Sequence, residues 1–270
     1  MSFYTSLSGL KNSQTSLGVI AHNIANAETN GFKKSRADFA DIATGGANSD
    51  PRKMVGIGAT VESITQNFGL GPVEQTGAAL DVAISGDGFF TMQSADSGRT
   101  VYTRNGRFGI DENGFIQDGS NNRLQVFPVD ASGAPTSATP VDAVIAAVNG
   151  AGAEFAGVTV SETGVISASY ADGSVEPIGA IALASFIAPT GLRQVGSSNW
   201  TSTGISGPAQ YGAPGQGQYG SLMSGAIERS NVDIAEELVG LITAQRNFQA
   251  NAKAIDTATQ ISQTVINLRS

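Results

Sequence analysis

The residues that could carry chemistry are few and scattered. One run, Gly215 to Gly220, has the glycine spacing of a dinucleotide-binding fingerprint, but Ala213 and Pro214 stand before it where a β-strand is required. We therefore interpret the run as a flexible connection. The run from Asp111 to Gly114 lacks the spacing and the terminal glutamate of a calcium loop and predicts a turn. His22 has no carboxylate three or four residues away, which favours a polar role on a helix over catalysis.

Carboxylates offer one further kind of catalytic site. Glu74, Asp81 and Asp87 lie in one stretch, and a glycosidase needs two carboxyl groups about 5 to 10 Å apart. Nothing in the sequence distinguishes these three residues from ordinary turn and edge residues. The chain has no cysteine and one histidine, which excludes disulfides, thiolate nucleophiles and the usual zinc or iron–sulfur ligand sets. We expect no enzyme, no metal and no cofactor, with a carbohydrate-active enzyme as an alternative.

The overall charge and hydropathy narrow the choice of partners. The chain has 15 Lys and Arg against 23 Asp and Glu, a net charge of −8, so it cannot neutralise a run of phosphates. We expect neither nucleic acid nor an anionic membrane surface as a partner. The longest apolar stretches, 143–148 and 180–188, are far shorter than the roughly 18 residues of a spanning helix, and the start lacks the features of a cleavable signal. We therefore expect no membrane insertion, and either a soluble protein or export by another route.

The beginning of the chain predicts an amphipathic helix. Between Phe3 and Ile24, residues recur at alternating spacings of four and three, and all are apolar except Gln14. The helix is expected to end near Ala27, because Asn30 and Gly31 follow and both tolerate the left-handed conformation that stops helices.

The end of the chain predicts a second, longer helix. Ser230 and Asp233 have the spacing of a capping box, and a heptad stripe follows, so the helix is expected to run to about Leu268. Gln245 interrupts this stripe as Gln14 interrupts the first. We favour a role for both glutamines in setting helix register, against a merely tolerated polar side chain in a partly wet interface. Long helices of this kind need more partner surface than one companion helix offers, which predicts lateral neighbours from other chains.

The middle of the chain predicts antiparallel β structure, because short alternating runs are separated by turn dipeptides. These dipeptides are Asp87-Gly88, Asn105-Gly106, Asn113-Gly114, Asp118-Gly119, Thr163-Gly164 and Asp172-Gly173. The predicted fold class is therefore α+β, with long terminal helices, paired as in a coiled coil, flanking a central antiparallel β domain. The predicted domains are an axial helix at 1–30, a linker or extended arm at 31–69, the β domain at 70–220 and a second axial helix at 221–270.

Three stretches resemble the bacterial flagellar rod and hook family. They are residues 21–33 (AHNIANAETNGFK), residues 80–108 (beginning LDVAISGDGFF) and residues 230–251 (beginning SNVD and ending QRNFQAN). Only about 132–157 is left without a match, and the sequence assigns that segment no role. The opening residues, Lys34 to Ile42 and Leu124 to Asp130 are most similar to hook proteins.

The resemblance implies a mechanical function. Hook subunits polymerise head-to-tail into a helical tube that acts as a universal joint between rod and filament, which requires open-ended contacts between copies. The implied partners are further copies, the distal rod, the hook–filament junction, the hook cap and the type III export apparatus; the implied location is the hook–basal body, outside the cell after export. The residues expected at the assembly interface are Leu7, Leu10, Gln14, Leu17, Asn23, Ile24, Asn26, Ile234, Leu238, Leu241, Gln245, Phe248 and Ile255.

Two departures from the family pattern leave alternatives. His22 replaces the family's usual first asparagine, which we interpret as tolerated. Many hook proteins also insert a sizeable outer β domain, for which 270 residues leave little room. The chain is therefore either a hook subunit with a reduced outer domain or the distal rod protein. A secreted adhesive or binding β protein, whose helices only oligomerise it, is the alternative from another class.

Overall fold

The chain folds into two units, each built from segments that are distant in sequence. The structure, a computed structural model, describes residues 2–44, 55–130 and 133–267. The first unit, here called the terminal unit, comprises Met1–Ala27, Lys34–Asn67 and Val232–Ser270. The second, here called the sheet unit, comprises Glu28–Lys33 and Phe68–Asn231.

Two long helices and one hairpin build the terminal unit. The helices are α1 (Ser2–Ala25) and α2 (Ile234–Asn267), and the hairpin consists of β1 (Ser35–Thr44) and β2 (Val55–Gln66). The sequence predicts a linker or extended arm over 31–69, whereas most of this segment pairs as an antiparallel hairpin with two register shifts. The two shifts interrupt the strict alternation of polar and apolar residues, which is why the period of two is hard to recognise in the sequence.

Both predicted helices are present, with corrected ends. Helix α1 ends at Ala25, two residues before the predicted end. The predicted capping box at the start of the second helix is wrong, because Asp233 itself is the cap. Its Oδ1 accepts hydrogen bonds from the backbone N–H groups of Ala235 (2.8 Å) and Glu236 (3.2 Å), which leaves Ser230 outside the helix. Among the residues that the structure describes, neither helix is both long and apolar enough to cross a membrane.

The sheet unit contains the remaining strands. They are β3 (Val73–Gln75), β4 (Val82–Ser85), β5 (Phe89–Ser94), β6 (Thr100–Thr103), β7 (Gly109–Ile110), β8 (Ile116–Gln117), β9 (Asn122–Phe127), β10 (Val141–Asp142), β11 (Phe155–Val160), β12 (Val165–Tyr170), β13 (Val175–Ile181), β14 (Leu183–Ser185), β15 (Arg193–Gly196), β16 (Asn199–Thr201), β17 (Gln210–Gly212), β18 (Ser221–Ser224) and β19 (Ala226–Glu228). Strands β18 and β19 lie in 221–270, where the sequence predicts only the axial helix; both are too short for periodicity to identify.

One sheet dominates this unit. Its main path runs β11-β12-β13-β9-β5-β6-β16-β15, and every pair along the path is antiparallel. Strand β18 pairs with β4, and β19 pairs with β3. An apolar core including Ile84, Phe90 and Leu124 lies under the sheet, and a separate aromatic cluster surrounds Trp200. Trp200 is the only tryptophan of the chain and is fully buried, so its fluorescence reports on this unit.

One kind of loop recurs between the short strands. Each loop begins with Asp, Asn or Ser. The carbonyl of this first residue accepts a hydrogen bond from the N–H of the fourth residue, which has a positive φ. The side-chain oxygen of the first residue also accepts a backbone N–H, as when Asp111 Oδ1 accepts hydrogen bonds from the amides of Asn113 and Phe115. Such loops lie at 111–115, 118–122, 149–153 and 161–165. The predicted turn dipeptides all fall between strands, and the loops show the reason for three of them.

Candidate assembly surface

The two terminal helices approach each other through small residues. A Cβ atom placed on Gly9 would lie 2.7 Å from Asn251 Oδ1, and one placed on Gly240 would lie 3.4 Å from Ile20 Cδ1. Ser13 is buried, and its hydroxyl donates to the carbonyl of Gly9 at 2.8 Å. The heptads predict a seam of leucines, as in a coiled coil. Glycine and serine at these positions allow a closer approach of the two backbones than leucine would.

On α1, the predicted stripe lies beside the most buried face. Leu7, Leu10, Leu17 and Ile24 are half-buried, whereas Gln14 is exposed. The most buried residues of the helix are Ser13 and Asn23. Asn23 is among the predicted interface residues, and Ser13 is not. Gln14 is exposed in a single chain, so its predicted role in setting helix register would require a contact with another chain.

On α2, the stripe is half-covered in the same way. Leu241, Phe248 and Ile255 are half-buried, and Gln245 is exposed, so the second glutamine also lies outside the contact within one chain. Ile234 and Leu238 are 45% and 46% exposed. Four further apolar side chains of α2 are at least half exposed: Val239 (65%), Ile242 (50%), Ile261 (60%) and Ile266 (66%).

The hairpin adds to the exposed apolar surface of this unit. Phe39, Ile42, Ile57 and Ile64 on β1 and β2 all have more than a third of their surface accessible. Large apolar patches are rare on proteins that remain monomeric, and they mark surfaces that another molecule covers. The terminal unit thus has the surface expected of an assembling subunit.

The two asparagines predicted at the interface make bonds within the chain. Asn23 is 1% exposed, and its side-chain amide forms two hydrogen bonds with the backbone of Ser35: Nδ2 donates to the carbonyl at 2.8 Å, and Oδ1 accepts the N–H at 2.9 Å. This pair fixes the start of β1 to the end of α1. Asn26 Nδ2 donates to the carbonyl of His22 at 2.9 Å and so gives a carbonyl group in the last turn of the helix a side-chain partner.

A buried ion cluster holds the sheet unit together. The Nζ of Lys33 lies 2.5 Å from Glu228 Oε1 and also donates to the carbonyl of Gly69 at 2.8 Å. Gly71 N–H donates to the same Oε1 at 2.8 Å, and Arg104 Nη1 lies 3.4 Å from Glu228 Oε2. The three charged residues are at most 3% exposed. The cluster joins 28–33 to β19, two segments that are nearly 200 residues apart in sequence.

The electrostatics of the cluster depend on Glu228. Burial lowers the pKa of Lys33 from its usual value, and the carboxylate of Glu228 opposes this shift. Burial also lowers the pKa of Arg104, again opposed by Glu228. The Arg104 guanidinium lies 5.2 Å from the centre of the Phe89 ring, which adds a cation–π contact. The buried carboxylate of Glu228 is therefore the largest compensating charge for both buried cations, and the charge of Asp87 adds to it at Arg104.

Gly31 permits 28–33 to pack against the rest of the sheet unit. Its φ is +66°, and a Cβ atom there would lie 2.4 Å from the backbone nitrogen of Asn105. The next residue, Phe32, is 2% exposed, and Lys33 after it is 1% exposed. The sequence predicts that Lys33 belongs to a polar linker, and only the Gly-Phe-Lys triplet at 31–33 could have indicated its burial.

Gly31→Ala is expected to destabilise the sheet unit by about 2 kcal/mol or more, since it combines a positive φ with a backbone clash. Gly77→Ala is the matched control, because Gly77 also has a positive φ (+75°) but a Cβ atom there would meet nothing within 4 Å. Urea unfolding followed by Trp200 fluorescence measures both variants. Equal losses for the two would show that the contact with Asn105 contributes nothing.

The residues considered for chemistry have structural contacts instead. Asp81 Oδ2 accepts a hydrogen bond from Thr76 Oγ1 at 2.6 Å, and Glu74 Oε2 lies 3.3 Å from Arg229 Nε. The run from Gly215 to Gly220 connects β17 to β18 without a helix, which confirms its interpretation as a connection. Among the described residues no group of three or more His, Asp or Glu side chains could hold a metal ion.

Comparison with known protein families matches three parts of the chain. Residues 3–33 match the flagella basal body rod protein family, residues 83–168 match the D1 domain of flagellar hook protein FlgE/F/G, and residues 223–268 match the C-terminal region of the FlgEFG basal body rod proteins.

Individual relatives match along the whole chain. The flagellar basal-body rod protein FlgG of Bacillus subtilis (strain 168) is 35% identical over 282 positions, covering 99% of this chain and 98% of that protein. The flagellar hook protein FlgE of Escherichia coli (strain K12) is 29% identical over 410 positions, covering both chains fully. A crystal structure of Helicobacter pylori flagellar hook protein FlgE2 is 16% identical over 70% of this chain and 42% of that one, with a TM-score of 0.23, too low to carry an argument about the fold. The extent and identity of the FlgG match show that the chain belongs to the family of flagellar basal-body rod and hook proteins.

Proposed function

We propose that this chain is a structural subunit of the bacterial flagellar hook, polymerising into a helical tube that joins the rod to the filament. The observation that carries assembly is the apolar surface of α2 and the hairpin, which one chain leaves exposed. Covering it with neighbouring copies gives each subunit a stabilising contact without a second protein. The function is then mechanical, and catalysis has no part in it.

Contacts between copies would use the terminal helices. The predicted stripe residues Leu238 and Ile234 are exposed in one chain and would become buried against the helices of neighbours. Coiled-coil pairing would then be between chains, with the small-residue contact at Gly9 retained within each chain. Gln14 and Gln245, both exposed, would lie in these interfaces and set the register there.

The proposal also places the protein in the hook–basal body, outside the cell after export by the flagellar type III apparatus. Its partners would be other axial proteins, namely the distal rod, the hook–filament junction and the hook cap. A net charge of −8 and the absence of cysteine are compatible with this location. We propose no insertion into the membrane and no bound cofactor.

A second candidate is the distal rod, and the length of the chain favours it. The alignment with the B. subtilis rod protein spans 282 positions and covers nearly all of both proteins. The alignment with the E. coli hook protein spans 410 positions, whereas this chain has 270 residues, so at least 140 positions have no counterpart here. A hook subunit of this size would therefore have a reduced outer domain.

Electron microscopy of basal bodies purified from a strain lacking this gene distinguishes the two candidates. We expect a complete rod that carries no hook. A truncated rod would assign the chain to the distal rod instead, and unaltered flagella would contradict any axial role.

A further inference from the structure

The main path of the large sheet ends at two strands, each of which is paired on one side. Strand β15 ends the main path on one side and pairs only with β16 among the described residues. Strand β11 ends the path on the other side and pairs with β12. Within the described part of the chain, only the first residue of β11 has a further backbone bond, from Phe155 N–H to the carbonyl of Ala147. Unpaired strand edges are ready templates for another chain.

The surroundings of β11 are acidic and apolar; we call this region the acidic edge. A groove of about 500 Å³ beside the start of the strand is lined by Ile110, Asp111, Glu112, Val148, Glu154 and Phe155, among others. Glu112 and Glu154 are exposed and have no basic partner among the described residues. No Lys or Arg occurs anywhere in 124–192, the segment that includes β11 to β14, whereas this segment contains six Asp and Glu.

The surroundings of β15 are basic and apolar; we call this region the basic edge. A groove of about 300 Å³ crosses β15, β16 and β6 at this end of the sheet. Its charged and apolar lining residues are Arg99, Arg193, Val101 and Val195, and the other lining residues are uncharged. Both arginines are exposed and make no ion pair with any described residue, although Asp96 lies in the same turn as Arg99. Val195 is 50% exposed, comparable to Val148 (52%) on the acidic edge.

We propose that the acidic edge of one copy docks on the basic edge of the next copy in the polymer. This inference rests on the proposed axial function and names a contact for it. Two acidic edges would repel each other, and so would two basic edges, which disfavours a closed pair of like edges. Unlike edges attract, and because each copy has one edge of each kind, the contact joins different surfaces of two copies and can repeat along the open-ended polymer of the proposed function.

Charge reversal tests the contact without depending on exact register. Glu112→Arg with Glu154→Arg, and separately Arg99→Glu with Arg193→Glu, are each expected to reduce the amount of chain recovered in purified hook–basal bodies at least about tenfold. All four side chains are exposed, so Trp200 fluorescence should show that each variant is folded. Combining all four changes is expected to restore assembly. Normal assembly of either double variant, or failure of the folded fourfold variant to recover, would overturn the proposal.

Engineered cysteines test the direction of the contact, because the chain has no cysteine of its own. Thr159→Cys on β11 combined with Val195→Cys on β15 should give a ladder of disulfide-linked multimers after oxidation of assembled axial structures. Each single variant should assemble but give no disulfide-linked multimers. Dimers from a single variant would show like edges meeting and overturn the proposal. If the charge-reversal variants assemble normally and the paired cysteines form no cross-links, the edge contact is refuted and the axial function is not. If the unsubstituted chain is absent from hook–basal bodies, the axial function is refuted as well.

Discussion

Glu228→Gln is expected to lower the free energy of unfolding of the sheet unit by about 3–5 kcal/mol. The substitution leaves the side chains of Lys33 and Arg104 buried, at 1% and 3% exposure, without the carboxylate that compensates both charges. Breaking one side of a buried ion pair costs far more than the pair itself contributes, because the remaining charge is desolvated and unpaired. Urea unfolding followed by the fluorescence of Trp200 measures the loss inside the same unit.

Glu74→Gln is the matched control for this experiment. Glu74 lies on β3, opposite Ile227 on β19, and its carboxylate faces Arg229 in a pair that is largely open to solvent. We expect its loss to change stability by no more than about 0.5 kcal/mol. Lys33→Met added to Glu228→Gln should recover part of the loss, since one of the two uncompensated cations is removed. Similar midpoints for the two glutamine variants would contradict a structural role for the cluster.

Leu238→Glu is expected to abolish polymerisation while leaving the free chain folded. Leu238 is 46% exposed in one chain and lies near the N-terminus of α2, where the helix dipole favours an added negative charge. In the assembled tube the same side chain would be buried against a neighbour, and an unpaired carboxylate there costs several kcal/mol per contact. Sedimentation of assembled material measures polymerisation, and Trp200 fluorescence measures folding of the sheet unit.

Asn247→Glu provides the comparison of equal charge for α2. Asn247 is exposed and lies on the opposite side of the helix from Leu238, at about 100° per residue. We expect this variant to assemble. If Leu238→Glu assembles as well as Asn247→Glu, then the exposed stripe of α2 is not a buried interface in the polymer.

The sequence predicts the elements of this fold well where periodicity is long. Both terminal helices are present over most of their expected lengths, and the six turn dipeptides all separate strands. The pairing of 35–44 with 55–66 is not predicted by the sequence, because its register shifts break the alternation that identifies strands. The capping-box spacing of Ser230 and Asp233 predicts a start of α2 that is too early, because the cap is Asp233.

Residues whose role depends on distant partners could not be predicted. Lys33 and Glu228 are separated by nearly the whole chain, and neither has a local pattern that signals burial. The heptads indicate an interface on the helices but not its exact face. In one chain, Gly9 lies against the side chain of Asn251, and Ser13 is buried. Hydrophobic periodicity identifies leucine seams and overlooks contacts made by small residues.

Helical reconstruction by electron cryomicroscopy of hook–basal bodies from wild-type cells tests the central claim most directly. We predict a tube segment whose repeating density fits this chain, with α1 and α2 packed against the helices of neighbouring copies. A hook and rod fully accounted for by other chains, with no density for this one, would contradict the account.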